Sequence, residues 1–148
     1  MSDPRQLALL CEVSQDRRDA AGRRLGNAIT LHAESAARLE LLLRYRDEYR
    51  ARLTEGSARG VTADELRNFR EFLARLEQAI AQQKNEIEAL ARGVEECRGR
   101  WLAERKRGLS YDVLADRAGS AAREREARLL QKQMDEFSGR RALLRASG

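Results

Sequence analysis

Stepping alternately by three and four from Leu66 picks out Leu66, Phe69, Leu73, Leu76, Ile80, Gln83, Ile87, Leu90, Val94, Cys97 and Trp101, and ten of these eleven are apolar. Such spacing keeps one face of a helix apolar for about five heptads and is the seam of a coiled coil. Composition allows little else. Pro4 is the only proline, where average usage of about 5% would supply roughly seven. Aromatics are 5% of the chain and Val plus Ile total seven, which starves a sheet of its preferred residues. The abundant Leu, Ala, Arg and Glu favour long helices.

A second, less regular row precedes the first. Leu7, Cys11, Ser14, Arg18, Ala21, Leu25, Ala28, His32, Ser35, Leu39, Leu42, Arg46, Tyr49 and Leu53 carry nine apolar residues in fourteen. Between the rows lies Thr54-Glu-Gly-Ser-Ala-Arg-Gly60. Gly56 can take the left-handed conformation that closes a helix, and Gly60 frees the backbone to turn. Thr62 and Glu65 then form a capping box, with Val61 and Leu66 at the positions of a hydrophobic staple. Ser2 or Asp3 can cap the first helix, with Pro4 in its first turn. The pattern predicts an all-α fold: a long two-helix antiparallel coiled-coil hairpin forming a single domain over 1–148. Helix one covers about 4–54, a loop 55–61, and helix two about 63–144.

A short loop forces the helices antiparallel. At about 1.5 Å per residue the first would be roughly 75 Å long and the second roughly 120 Å. Pairing outward from the loop sets residue 7 near residue 109, so helix two overhangs. Gly108 and Gly119 bracket an expected bend or weak point, where helix two can break near 108–119. Beyond it Leu130, Met134, Phe137 and Leu144 resume helical spacing on a segment that must fold back or meet a partner.

Motifs of catalysis are missing. No phosphate-binding glycine loop, zinc-protease helix or nucleophile elbow occurs, so neither an enzyme nor a cofactor is expected. Cys11 and Cys97 lack the spacing of a disulfide framework or zinc site. His32, the single histidine, falls in the weaker seam and reads as a buried or half-buried polar position. The start of the chain has an acidic third residue and a five-residue apolar run, Leu7–Cys11, unlike a signal peptide. No run approaches the roughly 18 residues of a membrane span, so a cytosolic protein without membrane insertion is expected. Net charge is +5, with 26 Arg and three Lys interspersed among 24 acids. A nucleic-acid binder concentrates its cations on one face; interspersion reads as solvated helix faces.

Phe72 stands one residue before the seam position Leu73. With Leu76 and Ala79 it makes an i, i+4, i+7 strip extended by Gln83, of the kind that lays into a groove on another protein. Alternatively, Phe72 covers the edge of the seam against helix one. Tyr45, Tyr49 and Trp101 are read as seam packing.

Three local patterns complete the reading: Leu42-Leu43-x-Tyr45-x-x-Glu48-Tyr49, then Phe69-x-x-Phe72-x-x-x-Leu76-Glu77-x-Ala79-Ile80 followed by Gln82-Gln83, and last Trp101 with basic residues after it and Gln131-Lys132-x-Met134-Asp135-Glu136-Phe137. In this order and layout the chain resembles the flagellar FliJ family of export proteins along its whole length. The resemblance implies a non-enzymatic stalk, similar to the γ stalk of rotary ATPases, that enters the hexameric flagellar type III export ATPase and promotes its assembly and activity. It also implies coupling to the membrane export gate and handling of export chaperones, at the inner face of the cell membrane at the flagellar base. Carried over by position, Phe72, Leu76, Ala79 and Gln83 would dock on the gate's cytosolic domain. Gln131, Lys132, Met134, Asp135 and Phe137, with the start of helix one, would face the ATPase. Other readings of the same residues are the equivalent stalk of a virulence secretion system, a basic coiled coil on nucleic acid or anionic membrane, and a spacer that self-associates through its apolar overhang.

Overall fold

A computed structural model describes residues 3–147; Ser2, one of the two candidate caps, lies outside them. Two helices account for the fold: α1, Pro4–Arg59, and α2, Ala63–Ala146, packed antiparallel as a hairpin. Asp3 caps α1. Its Oδ1 accepts the Arg5 amide at 3.2 Å and its carbonyl the Leu7 amide at 3.1 Å, satisfying donors that the first turn leaves open.

The turn is tighter than the sequence reading. Helix α1 does not end at 54 but runs through Gly56 to Arg59, and the residue in left-handed geometry is Gly60, with φ 83°. Gly56 serves a different purpose: a Cβ there would stand 2.8 Å from Val61 Cγ2. The missing side chain leaves room for Val61 to fold back over α1 while Gly56 stays helical. Thr62 then opens α2, its Oγ1 accepting the Glu65 amide at 3.3 Å and its carbonyl the Leu66 amide at 3.0 Å.

Packing divides the chain into two units. In the first, Asp19–Leu102, the core is a single seam. Ala21, Ser35, Leu76, Ile80 and Val94 are buried, and a fully enclosed aliphatic side chain contributes about 1.5–3 kcal/mol over an exposed one. Every seam position read from the sequence in α2, Leu66 through Trp101, is buried or half-buried. Small residues of α1 admit large ones of α2. A Cβ on Gly22 would lie 3.6 Å from the Trp101 indole nitrogen, so Trp101 packs into the seam as expected.

The second unit joins the described residues up to Arg18 with those from Ala103 onward. The helix shows no break at the place of the expected bend or weak point. Helix α2 passes without interruption through Gly108 and Gly119, because Gly108 is a buried seam position. A Cβ on it would reach within 2.8 Å of Ser14 Oγ and 2.6 Å of Arg18 Cζ. The missing side chain leaves room for both, at the roughly 1 kcal/mol that a glycine costs inside a helix. Arg18 continues across to Asp112 at 3.5 Å, while Ser14 Oγ and Arg18 Nε are enclosed without a hydrogen-bond partner. Leu7 is 6% exposed and lies beside Ala115, Ala118 and Gly119, further along α2 than residue 109. The longer α1 and shorter turn slide the whole register outward.

Candidate docking surfaces

Tyr49 organises the first surface. Its ring stacks on Phe72 at 4.3 Å between centroids and 25° between planes, and meets Phe69 edge-on at 5.8 Å and 61°. Phe69 belongs to the seam of α2 and Tyr49 to that of α1, so the cluster closes over the seam near the turn. Phe72 nevertheless stays 42% exposed. It borders a shallow apolar depression with Tyr49, Glu65, Asn68 and Phe69. One face of the Phe72 ring thus covers the seam edge, and the remainder faces solvent. On the neighbouring turns, Arg50 reaches Glu77 at 2.7 Å and Arg46 reaches it at 3.9 Å, ion pairs across the hairpin that hold its edge with modest energy.

The other members of the sequence-derived strip sit differently. Leu76 is 8% exposed and Ala79 half-buried. Gln83 turns inward. Its Nε2 donates to the Ser35 carbonyl at 2.9 Å and to Ser35 Oγ at 2.7 Å, and Ser35 is 1% exposed. The structure thus brings Phe72 together with Tyr49 and Phe69, while Leu76 and Gln83 close the hairpin from inside. The clasp was not anticipated. Its signal was present as two polar residues, Ser35 and Gln83, each standing in a seam row. Tyr45 departs from the seam reading and is 48% exposed, one step off the row of Leu42, Arg46 and Tyr49.

The second surface is the part of α2 that α1 does not reach. Every residue from Ser120 to Ser147 is exposed. Leu130, Met134 and Phe137 are 60%, 65% and 62% exposed and line a shallow depression with Gln133 and Ser138. Among the other candidates, Gln131 Nε2 donates to Asp135 Oδ1 at 3.1 Å, bracing one flank, and Lys132 is exposed. The Arg141 guanidinium lies 5.5 Å from the Phe137 ring centre, a cation–π contact that covers part of one ring face. On α1 in the same unit, Leu9, Leu10 and Val13 are also exposed.

Among the described residues there is no group of three or more His, Cys, Asp or Glu that could hold a metal ion, and no helix long and apolar enough to cross a membrane. His32 is half-buried. Both cysteines are free thiols, Cys11 Sγ pointing at the Tyr111 carbonyl at 3.7 Å.

Comparison with known proteins shows what the chain as a whole is similar to. A family model described as "Flagellar FliJ protein" matches residues 3–147. The chain is 29% identical over 143 residues to the flagellar FliJ protein of Escherichia coli (strain K12), covering 97% of each. It is 29% identical over 137 residues to that of Salmonella typhi, covering 93% of each.

Proposed function

We propose, because this chain belongs to the FliJ family of flagellar proteins, that it is a non-enzymatic stalk of the flagellar type III protein-export apparatus. In this reading α2 beyond Ala122 binds the hexameric export ATPase and promotes its assembly and activity. The cluster around Phe72 docks on the cytosolic domain of the export gate, with Leu76, Ala79 and Gln83 setting its backing, and the protein also handles export chaperones. It works in the cytoplasm at the inner face of the membrane, held there by its partners.

The observation that carries the reading is the exposed stripe Leu130–Met134–Phe137. An apolar row left open on a helix is an unfavourable surface for a chain that works alone, and a ring of subunits is a partner that would cover it. The many Arg side chains supply forked donors for carboxylates of an acidic ring interior, and complementary fields would speed the encounter.

Turnover by the cognate export ATPase, with and without the protein, tests the reading together with ring counting by electron microscopy. Faster hydrolysis with more hexamers is expected, and Met134→Asp is expected to remove most of the gain. An active, assembling ATPase that ignores the wild-type chain would overturn it.

A further inference from the structure

The exposed part of α2 has a register of its own. Leu130, Met134, Phe137, Arg141 and Leu144 are spaced by four, three, four and three, the alternation of a coiled-coil seam. Extended toward α1 the row takes in Ala127 and Arg123. This row is displaced by one to two residues from the seam that α2 shares with α1, whose strict heptad continuation would fall on Leu129, Lys132 and Glu136. Since α1 does not reach it, the second seam is not an extension of the first.

We propose that this row pairs with the same row of a second copy of the chain, antiparallel, making a twofold-symmetric dimer through residues 124–146. Antiparallel seams bring the two kinds of core position opposite each other, and a twofold axis makes every contact occur twice. With the axis between Asp135 and Glu136, Met134 packs beside Phe137 of the second copy, Ala127 beside its Leu144, and Leu130 beside the aliphatic stem of its Arg141, whose guanidinium reaches the solvent edge. At the flanks Glu124 meets Arg145 of the second copy, and no like charges face each other across the seam.

The neighbouring registers fail. A slip of one heptad toward α1 sets Arg123 against Arg141 inside the seam. It also runs the end of the second copy's helix into the stretch of α2 already lined by Pro4 and Leu7. A slip the other way leaves Ala127 and Leu130 opposite nothing, beyond the last helical residue, Ala146. The favoured register instead sets a second helix alongside the part of α2 that α1 leaves bare. Charge and spacing both select it.

So short a seam holds a reversible dimer, formed as concentration rises. This inference goes beyond the export reading and needs no ATPase to test. Sedimentation equilibrium of the full chain under reducing conditions, from about 1 to about 100 μM, is expected to show monomer passing to dimer. Phe137→Glu should raise the dissociation constant at least about tenfold, a change of about 1.4 kcal/mol, with helicity near the wild-type value because Phe137 is exposed. Glu124→Arg should weaken the dimer, and adding Arg145→Glu should restore it. A chain that stays monomeric throughout, or a dimer indifferent to Phe137→Glu, overturns the proposal. Failure of the double charge reversal to restore what the single one lost overturns the antiparallel register.

Discussion

At the scale of single residues, the seam holds two polar positions that solve the same problem differently. Ser35 is enclosed and satisfied, its hydroxyl and carbonyl both taken by Gln83. Ser14 is enclosed and its hydroxyl finds no partner. An unsatisfied buried hydroxyl costs about 1–3 kcal/mol, so Ser14→Ala is expected to raise the melting temperature, whereas Ser35→Ala should not. Thermal unfolding by circular dichroism separates the two. Phe72 carries a third consequence. Read from sequence as a docking residue beside the seam, it invites an aspartate substitution with no effect on melting. Its stack on Tyr49 changes that expectation, since an aromatic pair contributes about 0.5–1.5 kcal/mol beyond its buried area. Phe72→Asp loses the buried apolar area as well, so it should lower stability by more than that and abolish binding to the gate's cytosolic domain. Phe72→Leu, which keeps apolar contact, should show a smaller loss in both.

At the scale of elements, both seam rows were legible because a side chain's facing follows from spacing alone. All fourteen positions assigned to α1 are buried or half-buried, from Leu7 to Leu53. The end of α1 was not legible. Gly56 and Gly60 offer the same conformational freedom, and the choice between them is made by Val61, which needs the gap over Gly56. No local pattern records that tertiary contact. The same holds for Gly108, which looks like a helix breaker until Arg18 and Ser14 are seen across it. Tyr45 misled for a related reason: it makes an i, i+4 pair with Tyr49, yet only Tyr49 stands in the row that faces α2. Because the left-handed geometry belongs to Gly60, Gly60→Ala should cost about 1–2 kcal/mol, read as a lowered denaturant midpoint. Gly56→Ala is expected to disturb the packing of Val61 while leaving backbone strain unchanged.

At the scale of the whole molecule, protection should vary sharply along one continuous helix. Amides of α2 between Leu66 and Trp101 sit behind a packed seam, and those from Arg123 to Ala146 have only their own helix to protect them. Local openings take place where buried apolar contacts are few. Hydrogen exchange of dilute protein is therefore expected to be fast beyond Ala122 and slow around Ile80, with the outer stretch slowing when a partner is added. Uniform protection in the dilute monomer would contradict this. The stripe proposed for a second copy is also the one proposed for the ATPase, so the two should exclude each other. Stimulation of hydrolysis is then expected to rise less than in proportion to the amount of protein added.

The stack of Tyr49 on Phe72 has one more implication. A molecule that grips the exposed face of Phe72 is touching a ring whose attitude is set by α1, although Phe72 belongs to α2. An α2 that had lost its companion would offer the same side chain in no fixed orientation, with no tyrosine behind it. Recognition at this spot would thereby be a form of inspection, in which a receptor met the right surface only on a chain that had already closed upon itself.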